Sequence, residues 1–229
     1  YKKDGKFWII MIEMPDFDKS FEYENNFYLS CHPTRIQKII AQYELLKSII
    51  DVDGDIIECG IFKGSSLIRF GIFREIFKMK KKIIGFDTFD KFPETEFQDD
   101  KKIRQDFIDN AGIDSISKHQ LYSIFSNKNL NYLIELIDGN ILETVPLYMT
   151  NHPDQKISLL NLDTDTYEPA KIILENFYPK LSAGGVLILD DYNAFPGETL
   201  AVNEFFKDKK EKIKTSLYHD NLHYIVKDD

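Results

Sequence analysis

Two apolar runs in this chain stop abruptly at carboxylates, and that pattern limits the fold more than any other feature. One lies in LLNLDTDTYEP (159–169) and meets Asp163 and Asp165. The other lies in GGVLILDDYNAFPGET (184–199) and meets Asp190 and Asp191. Short apolar runs that halt at a polar cluster read as strands buried on both faces, with functional tips. Neighbouring strands lie about 4.8 Å apart, so two such tips gather up to four carboxylates in one small volume. Like charges that close repel, and the cluster needs a cation or shared protons. An all-oxygen set of aspartates suits Mg2+ or another hard divalent ion.

The rest of the chain extends this pattern. DIIEC (55–59), KKIIGFD (81–87), YLIELIDG (132–139), ISLLNLD (157–163) and VLILD (186–190) read as strands. Apolar spacing predicts helices over 34–50, 64–79, 143–153, 168–181 and 198–210. Asp53-Gly54 and Ser182 to Gly185 read as turns. Residues 88–130 are polar, aromatic and helical in parts, a length that suits a lid or a set of surface helices. Asp220-Asn221 marks a hairpin in the tail. Strands alternating with helices imply a doubly wound, mostly parallel sheet between two helical layers, closed by an antiparallel C-terminal hairpin. Ligands of such sheets bind beyond the carboxyl ends of the strands, where the chain order reverses. Residues 1–35, aromatic-rich and irregular, read as an arm or cap, and 36–229 as the main domain.

With 229 residues, 43% of them hydrophobic, the chain can bury one large α/β core. Its formal charge of −9 argues against nucleic acid or an anionic membrane as partner. The lysines at 78–82 and 207–214 read as solvated helix ends. Cys31 and Cys59 give no disulfide framework and no zinc spacing. FWIIMIEM (7–14) falls short of the ~18 residues of a membrane span. No secretory signal is visible, which leads to the expectation of a cytoplasmic protein.

The first strand and turn read DIIECGIFKGSSL. Gly60 and Gly64 let backbone approach a ligand, and the helix after Gly64 offers free N–H groups. The closely spaced glycines of a pyrophosphate turn are missing. Glu58 stands before the first glycine, where an acid repels phosphate and suits a cation. Asp87 ends the second strand, the usual position for an acid that takes ribose hydroxyls. Asp138-Gly139-Asn140 ends the third, where adenine would be met. A nucleoside with a cationic or zwitterionic tail and no phosphate fits this set, and S-adenosylmethionine is such a molecule.

In ECGIFKGSS, IIGFDTF, IDGNILETVP, NLDTDTYEPAKIILENFYPKLSAGGVLILDDYN and PGETLAVNEFF the chain resembles the macrocin O-methyltransferase family, class I S-adenosylmethionine-dependent methyltransferases. The likeness spans about residues 28–206. Thr164 and Thr166 replace the family's usual Gly and Leu, and Asn140 stands where an acid is common. The resemblance implies a seven-stranded sheet and methylation of sugar hydroxyls, with deoxysugars as frequent acceptors. It implies metal ligands at Asp163, Asp190 and Asp191, and a general base at Asp163 or Asp165. For the cofactor it implies Glu58, Cys59, Gly60, Gly64, Ser65, Ser66, Asp87, Thr88, Phe89, Gly139 and Asn140, with the two serines on its carboxylate. The family tendency and the aromatic arm point to a homo-oligomer.

Other readings stay open at this stage. Asp165 could cap the following helix. Tyr167 and Tyr192 could touch substrate or simply pack, and His119 could assist the base or sit at the surface. Tyr28, His32 and Arg35 could line the acceptor site. A catechol-like phenol is an alternative acceptor, and a non-catalytic nucleoside-binding domain or a nicotinamide oxidoreductase an alternative function.

Overall fold

A computed structural model describes residues 12–228, together with the backbone of two antiparallel two-residue strands at 2–3 and 6–7. Residues 8–11 of the stretch 7–14 therefore lie outside the described residues, and the arm at 1–35 is described from residue 12 onward. Seven strands form one sheet: β1 (Asp55–Cys59), β2 (Ile83–Asp87), β3 (Ile134–Asp138), β4 (Ile157–Leu162), β5 (Leu181–Leu189), β6 (Lys214–Thr215) and β7 (His223–Val226). Their order is β3-β2-β1-β4-β5-β7-β6. β1 to β5 run parallel, and β7 lies antiparallel to both β5 and β6. Chain order reverses between β1 and β4, so the crevice of a doubly wound sheet opens above that pair.

Eight α-helices accompany the sheet among the described residues: α1 (Ser20–Ser30), α2 (Pro33–Ser48), α3 (Ser65–Ile76), α4 (Gln98–Ala111), α5 (Lys118–Asn127), α6 (Ile141–Asn151), α7 (Tyr167–Phe177) and α8 (Pro196–Phe206). Side chains alternate across a strand, and the core divides accordingly. Ile56, Leu159 and Ile188 pack against α2, α3 and α5. Ile57, Leu160 and Leu189 pack against α6, α7 and α8. Every residue of β2 and β4 is buried, as parallel strands covered on both faces require.

The structure departs from the sequence reading in places. Residues 20–30 form a helix, although none of them is buried and nothing in their spacing marks an inner face. α2 starts at Pro33, so position 35 lies inside the first core helix. The turn expected at 182–185 is a bulge within β5: Ile157 pairs with Leu181 and Leu159 with Val186, and Gly184 takes φ +76°. Lys81 is not a solvated helix end, since its ammonium is drawn in to the Val52 and Gly54 carbonyls. No helix among the described residues is long and apolar enough to cross a membrane.

Candidate active site

The loops after β1, β2, β4 and β5 meet at the carboxyl edge of the sheet. Each carries a non-glycine residue at positive φ: Phe62, Phe89, Asp165 and Asn193. Such backbone costs of order 1–3 kcal/mol each and clusters at functional sites. Gly60 explains how the loops fit together. A Cβ there would stand 1.6 Å from the Asp163 carbonyl oxygen, so the close approach that demands glycine comes from the β4 loop. Asp163 N–H donates to Cys59 O and Asp190 N–H to Leu162 O, each at 3.0 Å. Three strand tips are thus laced together by backbone.

Asp163, Asp190 and Asp191 converge. Each offers a carboxylate oxygen, and these atoms lie within 4.8 Å of one another. Asp165 raises the affinity of Asp191 for a proton, as a neighbouring carboxyl group does. Burial, and then the charge of their neighbours, pushes Asp163, Asp165 and Asp191 well above the usual carboxylate range. Asp165 does not cap α7: Thr166 holds the N-cap position without a side-chain bond.

Glu198, unread in the sequence beyond its place in PGET, joins the cluster from α8. It is fully buried, accepts from Asp191 N–H at 3.2 Å, and is likewise pushed up, first by burial. Lys38, also unread, reaches in from α2 to within 2.6 Å of Asp190 Oδ2. Neither is near a strand tip in sequence, so only the fold could reveal them.

The turn after β1 is built around two other acids. Glu58, fully buried, accepts from Ser66 Oγ and, at 2.9 Å, from Asn161 Nδ2. Burial pushes it up to about 8. Asp87 accepts backbone N–H bonds from Ile61 at 2.6 Å, Phe62 at 2.9 Å and Phe89 at 2.8 Å. It therefore fixes the turn after β1 from the carboxyl end of β2. Ser66 is turned inward to Glu58, whereas Ser65 lies exposed at the start of α3, which has no side-chain cap. Cys59 and Phe89 bury their side chains in apolar clusters, which leaves only their backbone to a ligand. Thr88 Oγ1 lies beside Asp87 Oδ1. Gly139 N–H donates to Asp87 O, and the Asn140 side chain caps α6.

The segment between β2 and β3 closes over this edge. Asp100 on α4, fully buried, accepts from Gly197 N–H at 2.8 Å, and a Cβ on Gly197 would lie 2.0 Å from its Oδ2. Phe97 stacks on Tyr167 at 5.5 Å. Tyr167 also donates to Glu204, and Tyr192 to Asn203, so both tyrosines are held by packing partners. Tyr28, His32 and Arg35 are exposed, and His32 caps α2.

Residues 33–222 match the model of the macrocin-O-methyltransferase (TylF) family. The chain is 28% identical over 160 residues to a demethyldecarbamoylnovobiocin O-methyltransferase of Streptomyces niveus, covering 68% of this chain and 59% of the relative. It is 27% identical over 159 residues to the mycinamicin III 3''-O-methyltransferase of Micromonospora griseorubida, covering 67% and 61%. The chain thus spans about three fifths of the length of the curated relatives it matches. Among solved structures, the O-methyltransferase NovP superposes with a TM-score of 0.74 at 23% identity, covering 85% of this chain and 81% of NovP. The calicheamicin methyltransferase CalS11 superposes at 0.71 and 24%, covering 92% and 86%. At that identity both speak for the fold.

Proposed function

The chain belongs to the macrocin O-methyltransferase family, and from that premise we propose that it transfers a methyl group from S-adenosylmethionine to a hydroxyl of a small molecule. The acceptor class is a sugar or sugar nucleotide, a deoxysugar foremost, in keeping with the names of its relatives. The observation that carries this reading is the convergence of Asp163, Asp190 and Asp191 at the carboxyl edge. Asp190 Oδ1, Asp191 Oδ2, Thr164 Oγ1 and Glu198 Oε2 are buried there without a hydrogen-bond partner. A buried acceptor left alone costs about 1–3 kcal/mol, and a hard divalent cation such as Mg2+ satisfies oxygens of this kind. The donor set fits the ion, with Asp163, Asp190 and Asp191 as its ligands.

A divalent ion held by these three aspartates would supply Lewis acidity that lowers the pKa of an alcohol. The remaining work belongs to side chains of this protein. Asp165 stands outside the ligand triad and is the favoured proton acceptor, with Asp163 as the alternative. Gly60, Gly64, Ser65 and the free N–H groups of α3 hold the amino-acid end of the donor, and Glu58 and Ser66, bonded to each other, support that turn from beneath. The backbone at Cys59 and Phe89 lines that pocket. Asp87 and Thr88 take the ribose, and Gly139 and Asn140 border the base. Alignment of donor and acceptor supplies much of the acceleration.

The proposal extends to a homo-oligomer whose arm, residues 1–35, caps the domain at 36–229. It also places the protein in the cytoplasm, a reducing setting that suits unpaired Cys31 and Cys59.

Calorimetric titration with S-adenosylhomocysteine, with and without Mg2+ and with NAD as control, tests the reading. Micromolar binding of the S-adenosyl compound and none of NAD is expected. Asp190→Asn is expected to abolish methyl transfer to sugar acceptors while leaving cofactor affinity within a few-fold of the parent. Full turnover by that variant would remove Asp190 from the metal set.

A further inference from the structure

Lys38 approaches the acid cluster from α2, outside the sheet. Its ammonium lies 2.6 Å from Asp190 Oδ2. The lysine side chain is 26% exposed and the aspartate side chain 7%, so the pair is largely shielded while Lys38 keeps some contact with solvent. Gln42, on the same helix, accepts from Arg69 Nε at 2.7 Å. The field of Lys38 reaches Asp163 and Asp191 as well as Asp190. The carboxylate it pairs with is one of the three proposed ligands, and Asp190 Oδ1 and Asp191 Oδ2 remain without partners. An ammonium and a divalent ion therefore draw on the same carboxylate.

We propose that Lys38 is a tethered counter-cation of the metal site, which neutralises Asp190 in the metal-free protein and competes with the divalent ion for it. This rests on the metal reading of the Asp163–Asp190–Asp191 triad. Two effects of Lys38 on the ion have opposite signs. Its positive charge repels a dication nearby, whereas an ordering effect on Asp190 would favour one. Repulsion is the larger effect, because Lys38 keeps contact with solvent, has somewhere to go, and gives up a charge-assisted contact when it leaves.

Lys38→Met and Lys38→Gln remove the charge and keep most of the stem. Titration of each purified chain with Mn2+, followed by electron paramagnetic resonance, reads the affinity directly. Roughly tenfold tighter Mn2+ binding than the parent is expected, the loss of one charge-assisted contact. In EDTA both variants should melt below the parent, and saturating Mn2+ should close that gap. Lys38→Arg, which keeps the charge, should stay within a few-fold of the parent affinity. Parent protein that takes up no Mn2+ sinks the metal reading itself. Parent protein that binds, with both neutral variants equal to it or weaker, overturns the role given to Lys38 and leaves the metal reading standing. Should Lys38→Met fail to fold, Lys38→Gln carries the comparison.

Discussion

Glu58 lies one residue before the end of β1, fully buried, with Ser66 and Asn161 donating to one oxygen and the other without a partner. Its carboxyl is pushed from an ordinary 4.5 up to about 8. Between those values the folded protein holds a proton that the unfolded chain has lost. The stability this group contributes is therefore present in full below about pH 4.5 and is lost as pH rises towards 8. Glu58→Gln removes that slope. Thermal melts across pH should find the cofactor-free variant equal to the parent near pH 5. Near pH 8.5 it should be more stable by on the order of 1–3 kcal/mol, with weaker binding of S-adenosylhomocysteine throughout. A variant that melts below its parent at the higher pH would show that Glu58 is not a cost there. Glu58, two residues before a glycine, was legible in the sequence because it sits near a strand tip. The aspartates of 163 and 190–191 were legible for the same reason, and the fold brings them together. Lys38, Glu198 and Asp100 arrive from helices, and nothing in their local sequence relates a helix face to a distant strand end. Gly60 was recognised for its close approach, and the structure adds a neighbour the sequence could not name, the carbonyl of Asp163.

At the scale of elements, the five parallel strands were readable because β1, β2 and β4 are short, apolar and closed by acids. The ends of β1 to β4 shift by at most two residues, and β5 starts five residues earlier than VLILD because the bulge at 182–185 continues the strand. α1 was not readable. It buries no residue, so selection for a core-facing stripe left no period in SFEYENNFYLS. Phe21 is 77% exposed and Leu29 86%, and Tyr28 is exposed beside them. Exposed apolar side chains gathered on one helix mark a contact surface. The proposed homo-oligomer supplies a covering for it in a second copy of the chain. Light scattering of the purified protein should give a mass above that of one chain, and Phe21→Asp combined with Leu29→Asp should return it to one. A monomeric parent, or a double variant with unchanged mass, would separate α1 from assembly.

Across the whole molecule the formal charge is −9, and its most crowded acids are drawn partly below the surface, with Glu198 fully buried. Asp163, Asp165, Asp191 and Glu198 all hold protons above the usual carboxylate range, first because of burial and then because of one another. Each binds its proton more firmly in the folded protein than in the unfolded chain. Stability linked to them is full below the ordinary carboxylate range and falls as pH rises out of it. The fold tolerates this because the strands beneath the cluster are fully buried and laced together at their tips. A divalent ion acts in the opposite sense, since it binds carboxylates that have lost their protons. Metal-free protein in EDTA should therefore melt progressively lower from about pH 5 to pH 8, and the rise in melting temperature on adding Mg2+ should grow over the same interval. With the ion at about a hundred times its dissociation constant the stabilisation is about 2.7 kcal/mol, opposite in sign to the carboxylate penalty. Scanning fluorimetry at several pH values, with EDTA or Mg2+, measures both trends together. A Mg2+ increment that stays constant from pH 5 to 8 would mean that the ion is not taken up by these acids. A metal-free melting temperature that climbs with pH would mean that their burial is not what limits the stability of the fold.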